Sequence, residues 1–259
     1  MTVLRLACLL CVAGMAGAAG PPPFETAGLV RLMTVEGVTA SGGVRFALPD
    51  GRRGRLAGLA EPAEPAKAKA EFQRLLRSAR ITLWSYGEAH RLDRYGRIVA
   101  HLWAVPGGWI QGRMLAAGRA RVRTRPDDRA LARRMLALED AARQAKRGLW
   151  ALERFRASSD TAVTPGGFRL VEGTVLGVSE RWRYAYLNFG RSWRRDFTIV
   201  IDRKARQLFR KSGVKLSALK GVRVRVRGWV QERNGPMIEV SHPEQIERMK
   251  PSPAPVRQP

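Results

Sequence analysis

Both cysteines of this 259-residue chain, Cys8 and Cys11, lie within its first twenty residues. Once that segment is removed no thiol remains, which excludes a disulfide framework, thiolate zinc or iron-sulfur ligation and a cysteine nucleophile. Imidazole is limited to His90, His101 and His242. The fold must therefore come from packing. With 45% hydrophobic and 27% charged residues the chain has ordinary globular composition, not that of a collagenous, coiled-coil or wholly disordered one. Its length accommodates two small domains, each able to bury a core.

The first segment reads as an export signal. Met1 to Arg5 carries one positive charge, Leu6 to Met15 is a short uncharged apolar run, and Ala16, Gly17 and Ala18 are small residues suited to a signal peptidase. The run is about half of the ~20 residues needed to span a bilayer, and Pro21 to Pro23 follow at once. Residues 1–18 are thus expected to be removed, leaving an exported protein, periplasmic or secreted, without a transmembrane segment. The 47 Lys and Arg against 22 Asp and Glu give +25, which draws polyanions and repels cationic partners. Both halves of the chain share this excess.

Strand-like and helical patterns alternate from residue 24 to about 155. Val44 to Leu48 and Arg53 to Leu59 flank the turn Pro49-Asp50-Gly51, a hairpin signal. Ala66 to Arg80 places Phe72, Leu75, Leu76 and Ala79 at helical spacing, and the β-branched run Ile81 to Trp84 follows. Asp93 to Arg97 makes a turn before the apolar run Ile98 to Val105, and a short helix is expected over Trp109 to Ala117. The longest helix carries Leu131, Met135, Leu138, Ala142 and Ala145 on one stripe, with Asp127 and Asp128 as expected caps and Gly148 as its end.

Five stretches in this order resemble the staphylococcal nuclease (thermonuclease) family. They are Val35-Glu36-Gly37-Val38-Thr39 for its Asp-Gly-Asp-Thr loop, Arg55 to Pro62 for its Arg-to-Pro-Glu segment, Asp93-Arg94-Tyr95-Gly96-Arg97, Gly112 to Val122, and Ala141 to Trp150. The resemblance covers roughly residues 28 to 150 and implies a barrel with helices, an OB fold. It also implies calcium-dependent phosphodiester cleavage, which needs carboxylates for a hard cation, a glutamate to activate water and arginines for the phosphate. Arg55 and Arg97 match the family's arginines and are expected to retain phosphate binding, or else to be satisfied by carboxylates such as Asp93 or Glu36. The acids are replaced: Val38, Ala60 and Ala63 stand at their positions. Glu36, Glu61 and Glu64 are the acids left nearby. No metal site and no cofactor is expected, the family's calcium site being lost.

Ser158 to Gly167 is a linker by composition, placed at 156–167, and from Phe168 the pattern turns to strands. Phe168 to Val178, Tyr184 to Phe189, Phe197 to Ile201, Val222 to Val230 and Met237 to Val240 are five strands, with a helical stretch, Ala205 to Leu216, between the third and fourth. That is the order of an OB fold, expected over 168–249. Val222, Val224 and Val226 alternate with Arg223, Arg225 and Arg227, so one face of this strand is expected in the core and the other to be cationic. Arg181, Trp182, Arg183, Tyr184, Trp193, Arg194 and Arg195 interleave aromatic rings with cations as single-strand binding barrels do, although half of such aromatics could instead fill the core. The segment resembles the carboxy-terminal OB-like domain fused to some bacterial thermonuclease-like proteins. His242 and Pro243 before Glu244 are read as opening a final helical turn, not as metal ligands. Residues 250–259, with four prolines, read as a disordered tail.

The expected protein is therefore of mainly β, α+β class: a thermonuclease-like barrel at 24–155, then a second five-stranded barrel. It is expected to bind nucleic acid, single-stranded, or another anionic polymer without ordinary catalysis. A weak or metal-altered nuclease using Glu36, Glu61 or Glu64, and a cell-envelope protein that meets an anionic surface polymer or a protein, are the rival readings. Intact-mass analysis of protein from the native host should show a chain starting near residue 19 and lacking both cysteines. A mature mass that includes residues 1–18 would defeat the export reading.

Overall fold

Two barrels with the same wiring follow from the two sets of apolar runs. The computed structural model describes residues 24–249 except 26, 88–91, 153–155, 159–162, 164, 191, 193 and 194. The expected signal segment, the tail, His90, Trp193 and Arg194 lie outside the described residues. In the front barrel the elements are β1 (Leu29–Val35), β2 (Thr39–Ala40), β3 (Arg45–Ala47), β4 (Arg53–Leu56), α1 (Pro65–Leu76), β5 (Arg80–Tyr86), β6 (Ile98–Val105), β7 (Gly108–Trp109), α2 (Ile110–Ala116) and α3 (Ala132–Gln144). The strand order is β1-β5-β6-β4-β3-β2, with β7 on β6. Since β1 and β2 are consecutive in the chain and end opposite edges of the sheet, the sheet curls back on itself. Gly37, between them, makes the bend at φ 71°, where a side chain would be strained. β4 and β6 pair in parallel, and α1 provides the crossover after β4.

The helices close the barrel through their apolar stripes. Pro65 opens α1, which buries Ala68, Phe72, Leu75 and Leu76, and the Gln73 side chain accepts a bond from Ala40 N at 2.9 Å. Gln111 of α2 is fully buried and completes the edge of β6, donating to Ala100 O and accepting from Leu102 N. The start of α3 departs from expectation. Its N-cap is Leu131, without a side-chain bond, while Asp128 is buried with a carboxylate oxygen 3.7 Å from His101 Nε2. A tertiary partner draws this carboxylate away from the helix end.

The second barrel contains β8 (Arg156–Ser158), β9 (Phe168–Thr174), β10 (Gly177–Glu180), β11 (Tyr184–Asn188), β12 (Thr198–Asp202), α4 (Arg203–Lys211), β13 (Arg223–Glu232), β14 (Pro236–Val240) and β15 (Ile246–Arg248). Its order is β10-β11-β12-β14-β13-β9-β8, with β12 and β14 parallel and β15 on β13. The strands β9 to β14 repeat the order of β1 to β6, while β7, β8 and β15 have no counterpart in the other barrel. The run expected as one strand, Phe168 to Val178, is split: Val175 N donates to Val222 O while Leu176 N donates to Asn188 O, so the chain changes partner at this point. Arg156–Ser158 pairs in parallel with β9, so part of the expected linker belongs to the sheet. Asp202 caps α4 by accepting from Ala205 N at 2.6 Å. Asn234 and Gly235, both at positive φ, form the expected tight turn between β13 and β14. Pro243–Gln245 makes the expected final turn as a 3-10 helix. Among the described residues no helix is long and apolar enough to cross a membrane.

One expectation is corrected where the barrels meet. Val224 and Val226 enter the second core as the alternation requires, but Arg225 and Arg227 do not face water. They face α3. Arg227, 1% exposed, reaches Glu139 Oε2 at 2.8 Å, pairs with Glu247 and donates to Val122 O at 3.2 Å. Although burial works against its charge, these two carboxylates hold the Arg227 guanidinium above its ordinary pKa. Arg225 pairs with Glu172 at 2.7 Å and lies 3.7 Å from Asp140. Arg129 forks onto Glu244 at 2.8 and 2.9 Å. His242 meets Thr124 at 2.8 Å, and burial pushes its pKa down to about 4, so the ring there is neutral. Leu170 and Phe168 pack with Ala142, Leu149 and Trp150 across the same seam. A pattern of period two shows that a face is polar, not what the polar face touches.

Replacing Arg227 by Met should cost roughly 3 to 5 kcal/mol in urea unfolding, because Glu139 and Glu247 both lose its charge and the buried Glu139 keeps only Arg143, 3.5 Å away. Arg227→Met combined with Glu139→Gln should be measurably less damaging than Arg227→Met alone. Equal destabilisation by the two would show that the pair is not coupled.

Candidate anion-binding surfaces

Arg55 projects from β4 beside its cross-strand neighbour Arg45 on β3, a pairing of like charges that needs an acid or a ligand between them. Glu61 is that acid, 3.5 Å from Arg45. Arg55 Nη2 donates to Leu59 O at 2.6 Å, but its Nε is buried with no hydrogen-bond partner. Burial first, then the Arg123 charge, lowers the Arg55 pKa. Arg123 has the same character: burial, then Arg125, lowers its pKa. It is placed by Arg123 N donating to Gly58 O at 2.7 Å, and its guanidinium lies 5.9 Å from the ring centre of Trp229, at the far end of β13. Trp229 is 51% exposed, so the second barrel supplies an open aromatic face beside the front barrel's arginines.

Arg97 sits nearby and is differently held. The Asp93 carboxylate accepts from Tyr95 N and Arg97 N through one oxygen, and from Arg97 Nε at 2.8 Å through the other. Burial raises the Asp93 pKa, yet Arg97 outweighs it and keeps the carboxyl below its usual range. Both readings of the two arginines thus meet in one place: Arg97 is satisfied by Asp93, while Arg55 keeps an unpartnered donor. Arg55 senses Arg123 and Arg97 against Glu61 and Asp93, and Arg123 senses Arg125 and Arg94 against Glu61. With Asp93 engaged by Arg97, Glu61 is shared among Arg45, Arg55 and Arg123. The cluster carries an excess of positive charge.

The residues that stand at the family's acid positions differ in exposure. Val38 is 4% and Ala60 2% exposed, both packed inward, whereas Ala63 is exposed. Glu36 is exposed, Glu61 is drawn to Arg45, and Glu64 pairs with Lys67 at 2.8 Å. Among the described residues no three His, Cys, Asp or Glu side chains group as metal ligands.

A second surface lies on the outer face of the second barrel. β11 turns Ala185 and Leu187 into the core and Tyr184, Tyr186 and Asn188 outward. With Val200 of β12 and Met237 of β14 they line a groove of about 490 Å³, which Arg181, Arg233 and Asn234 border. Of the expected binding residues, Arg181 and Tyr184 therefore belong to one site. Trp182, 75% exposed, instead lies under Arg203 at 4.7 Å, and Arg206 donates to its carbonyl at 2.8 Å. Arg183 and Arg195 are exposed, and Arg223 lies half exposed 3.8 Å from Glu172. Arg225 and Arg227 are removed from this surface by the inter-barrel pairs. Arg123, Trp229, Arg233 and Glu239 are the residues sequence reasoning missed; only the Arg-Val-Arg-Thr-Arg run at 121–125 hinted at the first.

Residues 62–152 match the family described as staphylococcal nuclease homologue. The chain thus contains a staphylococcal nuclease-type domain, and a nucleic-acid-related function is supported at that level. The matched stretch runs from the entry to α1 through Leu152, so Ala63 and Arg97 lie within it and Val38, Arg55 and Ala60 precede it. No curated protein matches the chain.

If the arginine cluster takes an anion, inorganic polyphosphate should raise the thermal midpoint by roughly 5 to 10 °C at about a hundred times its Kd. Potassium chloride at matched ionic strength should not. In Arg123→Ala the rise should shrink, and an unchanged rise would place the anion elsewhere.

Proposed function

We propose that this staphylococcal nuclease-type barrel and its companion form an exported protein that binds nucleic acid, single-stranded, or a like anionic polymer, and does not cleave it with calcium. The observation that carries the reading is the buried, unpartnered Nε of Arg55 beside Arg123 and Arg97, with Glu61 shared among several cations. A phosphate oxygen accepts from such a donor and supplies the missing negative charge, and guanidinium forks suit its geometry. Binding phosphate is only half of the family's chemistry. The other half needs a cation and a base, and Val38, Ala60 and Ala63 can neither ligate calcium nor take a proton.

The acids that remain are poorly placed to replace them. Glu36 points to solvent, and Glu61 and Glu64 are each drawn to a neighbouring cation. Small errors in the position of a general base are costly in catalysis. The excess of 47 basic over 22 acidic residues extends the attraction beyond one site. Phosphate contacts of this kind hold a strand without reading its sequence.

The mature protein should neither bind calcium at micromolar levels by calorimetry nor cleave labelled DNA when calcium is added. Val38→Asp, Ala60→Asp and Ala63→Glu together should restore calcium binding in part. Affinity for a single strand should fall with salt at a logarithmic slope of roughly −0.7 per phosphate contact, and less steeply in Arg123→Ala. Robust calcium-dependent cleavage by the unaltered chain, or binding indifferent to salt, would overturn the proposal.

A further inference from the structure

We infer that the groove on β10, β11, β12 and β14 is a base-reading site, in which Tyr184 and Tyr186 stack nucleobases and Glu239 selects those that carry an exocyclic amino group. The inference rests on nucleic acid being the polymer and adds where and how bases are held. Four observations converge. Tyr184 and Tyr186 are only half buried although they lie on a strand whose alternate residues fill the core, so their rings are not core filling. The rings are 6.2 Å apart and tilted by 54°, and both line the groove. Aromatic faces of this kind take any base, since every base has a π-face.

Arg181 and Arg233 stand exposed on the border and, among the described residues, form no ion pair, so both are available to a strand's phosphates. The fourth observation is Glu239. In a chain with a large cationic excess, this exposed carboxylate lines the groove and also forms no ion pair among the described residues. A carboxylate only accepts hydrogen bonds. It accepts from the amino group of cytosine or adenine and opposes the carbonyl oxygen that thymine presents instead. Asn188 and Thr198, linked at 3.4 Å, offer further donors and acceptors on the groove floor.

The test is fluorescence anisotropy on the mature chain with labelled oligodeoxycytidylate and oligodeoxythymidylate of equal length, with polyphosphate and a polyuronate as competitors. The cytidine strand should bind at least about fivefold more tightly. Glu239→Met should bring the ratio of the two affinities close to one; a ratio is insensitive to the general gain from losing a negative charge. Tyr184→Leu should weaken both strands roughly tenfold, with the thermal midpoint as the control for folding. If Tyr184→Leu does not fold, the exposed Glu239→Met still decides. Strands that bind equally well in the parent and both variants would overturn the groove assignment while leaving nucleic-acid binding intact. Failure of both strands to bind would overturn the nucleic-acid reading itself. Polyuronate binding that is lost in Tyr184→Leu while strand binding persists would assign the groove to an acidic glycan and overturn the inference.

Discussion

The contact between Arg227 and Glu139 is the constraint on which the arrangement of this protein depends. Each side chain is buried, and neither would tolerate that burial alone, because an isolated charge loses several kcal/mol of hydration on leaving water. Glu139 lies on α3 of one barrel and Arg227 on β13 of the other. Glu139 also accepts from Val122 N at 2.7 Å, and Arg227 donates to Val122 O, so one backbone residue is held from both sides. The chain just beyond Val122 carries Arg123, and the strand just beyond Arg227 carries Trp229. The pair that joins the barrels thereby also places the cation and the ring that complete the arginine cluster.

Two barrels of one topology have come to present different surfaces. In the front barrel Arg45, Arg55 and Arg123 gather about Glu61. In the second barrel the corresponding sheet faces outward with tyrosines and hydrogen-bonding side chains. Strand order alone distinguishes neither, as expected when function resides in sites grafted on a shared scaffold. What separates them is which residues occupy the outward positions of each strand.

Local signals were legible in the sequence where they were sufficient to decide structure. The Asp50 turn, the apolar stripe of α1 and the Asn234-Gly235 turn each specify their geometry within a few residues, and all three form as read. The strand order was legible as well, since a helix between third and fourth strands leaves few ways to close a barrel. Signals that depend on distant partners were not. The alternation of Val and Arg in β13 looks the same whether the polar face meets water or Glu139, 88 positions away by numbering. Asp128 has the chemistry of a cap but answers to His101. Arg123 and Trp229 meet across the seam, and no pattern within either segment records the other. The lone Glu239 draws notice only once the groove around it is known.

Because the barrels are bound through buried charge, they cannot swing apart to suit a ligand without exposing Glu139 and Arg227 together. The distance between the arginine cluster and the tyrosine groove is accordingly a property of the protein, and any polymer that touches both must supply the path between them. Its second contact then occurs at an effective concentration governed by the polymer's own stiffness and contour length. A short chain meets one site at a time, whereas a longer and pliant one engages both and gains avidity without any new contact. If both surfaces take one polymer as proposed, the buried ion pair turns them into a ruler, so that length and flexibility, as much as charge, decide which polymer is held.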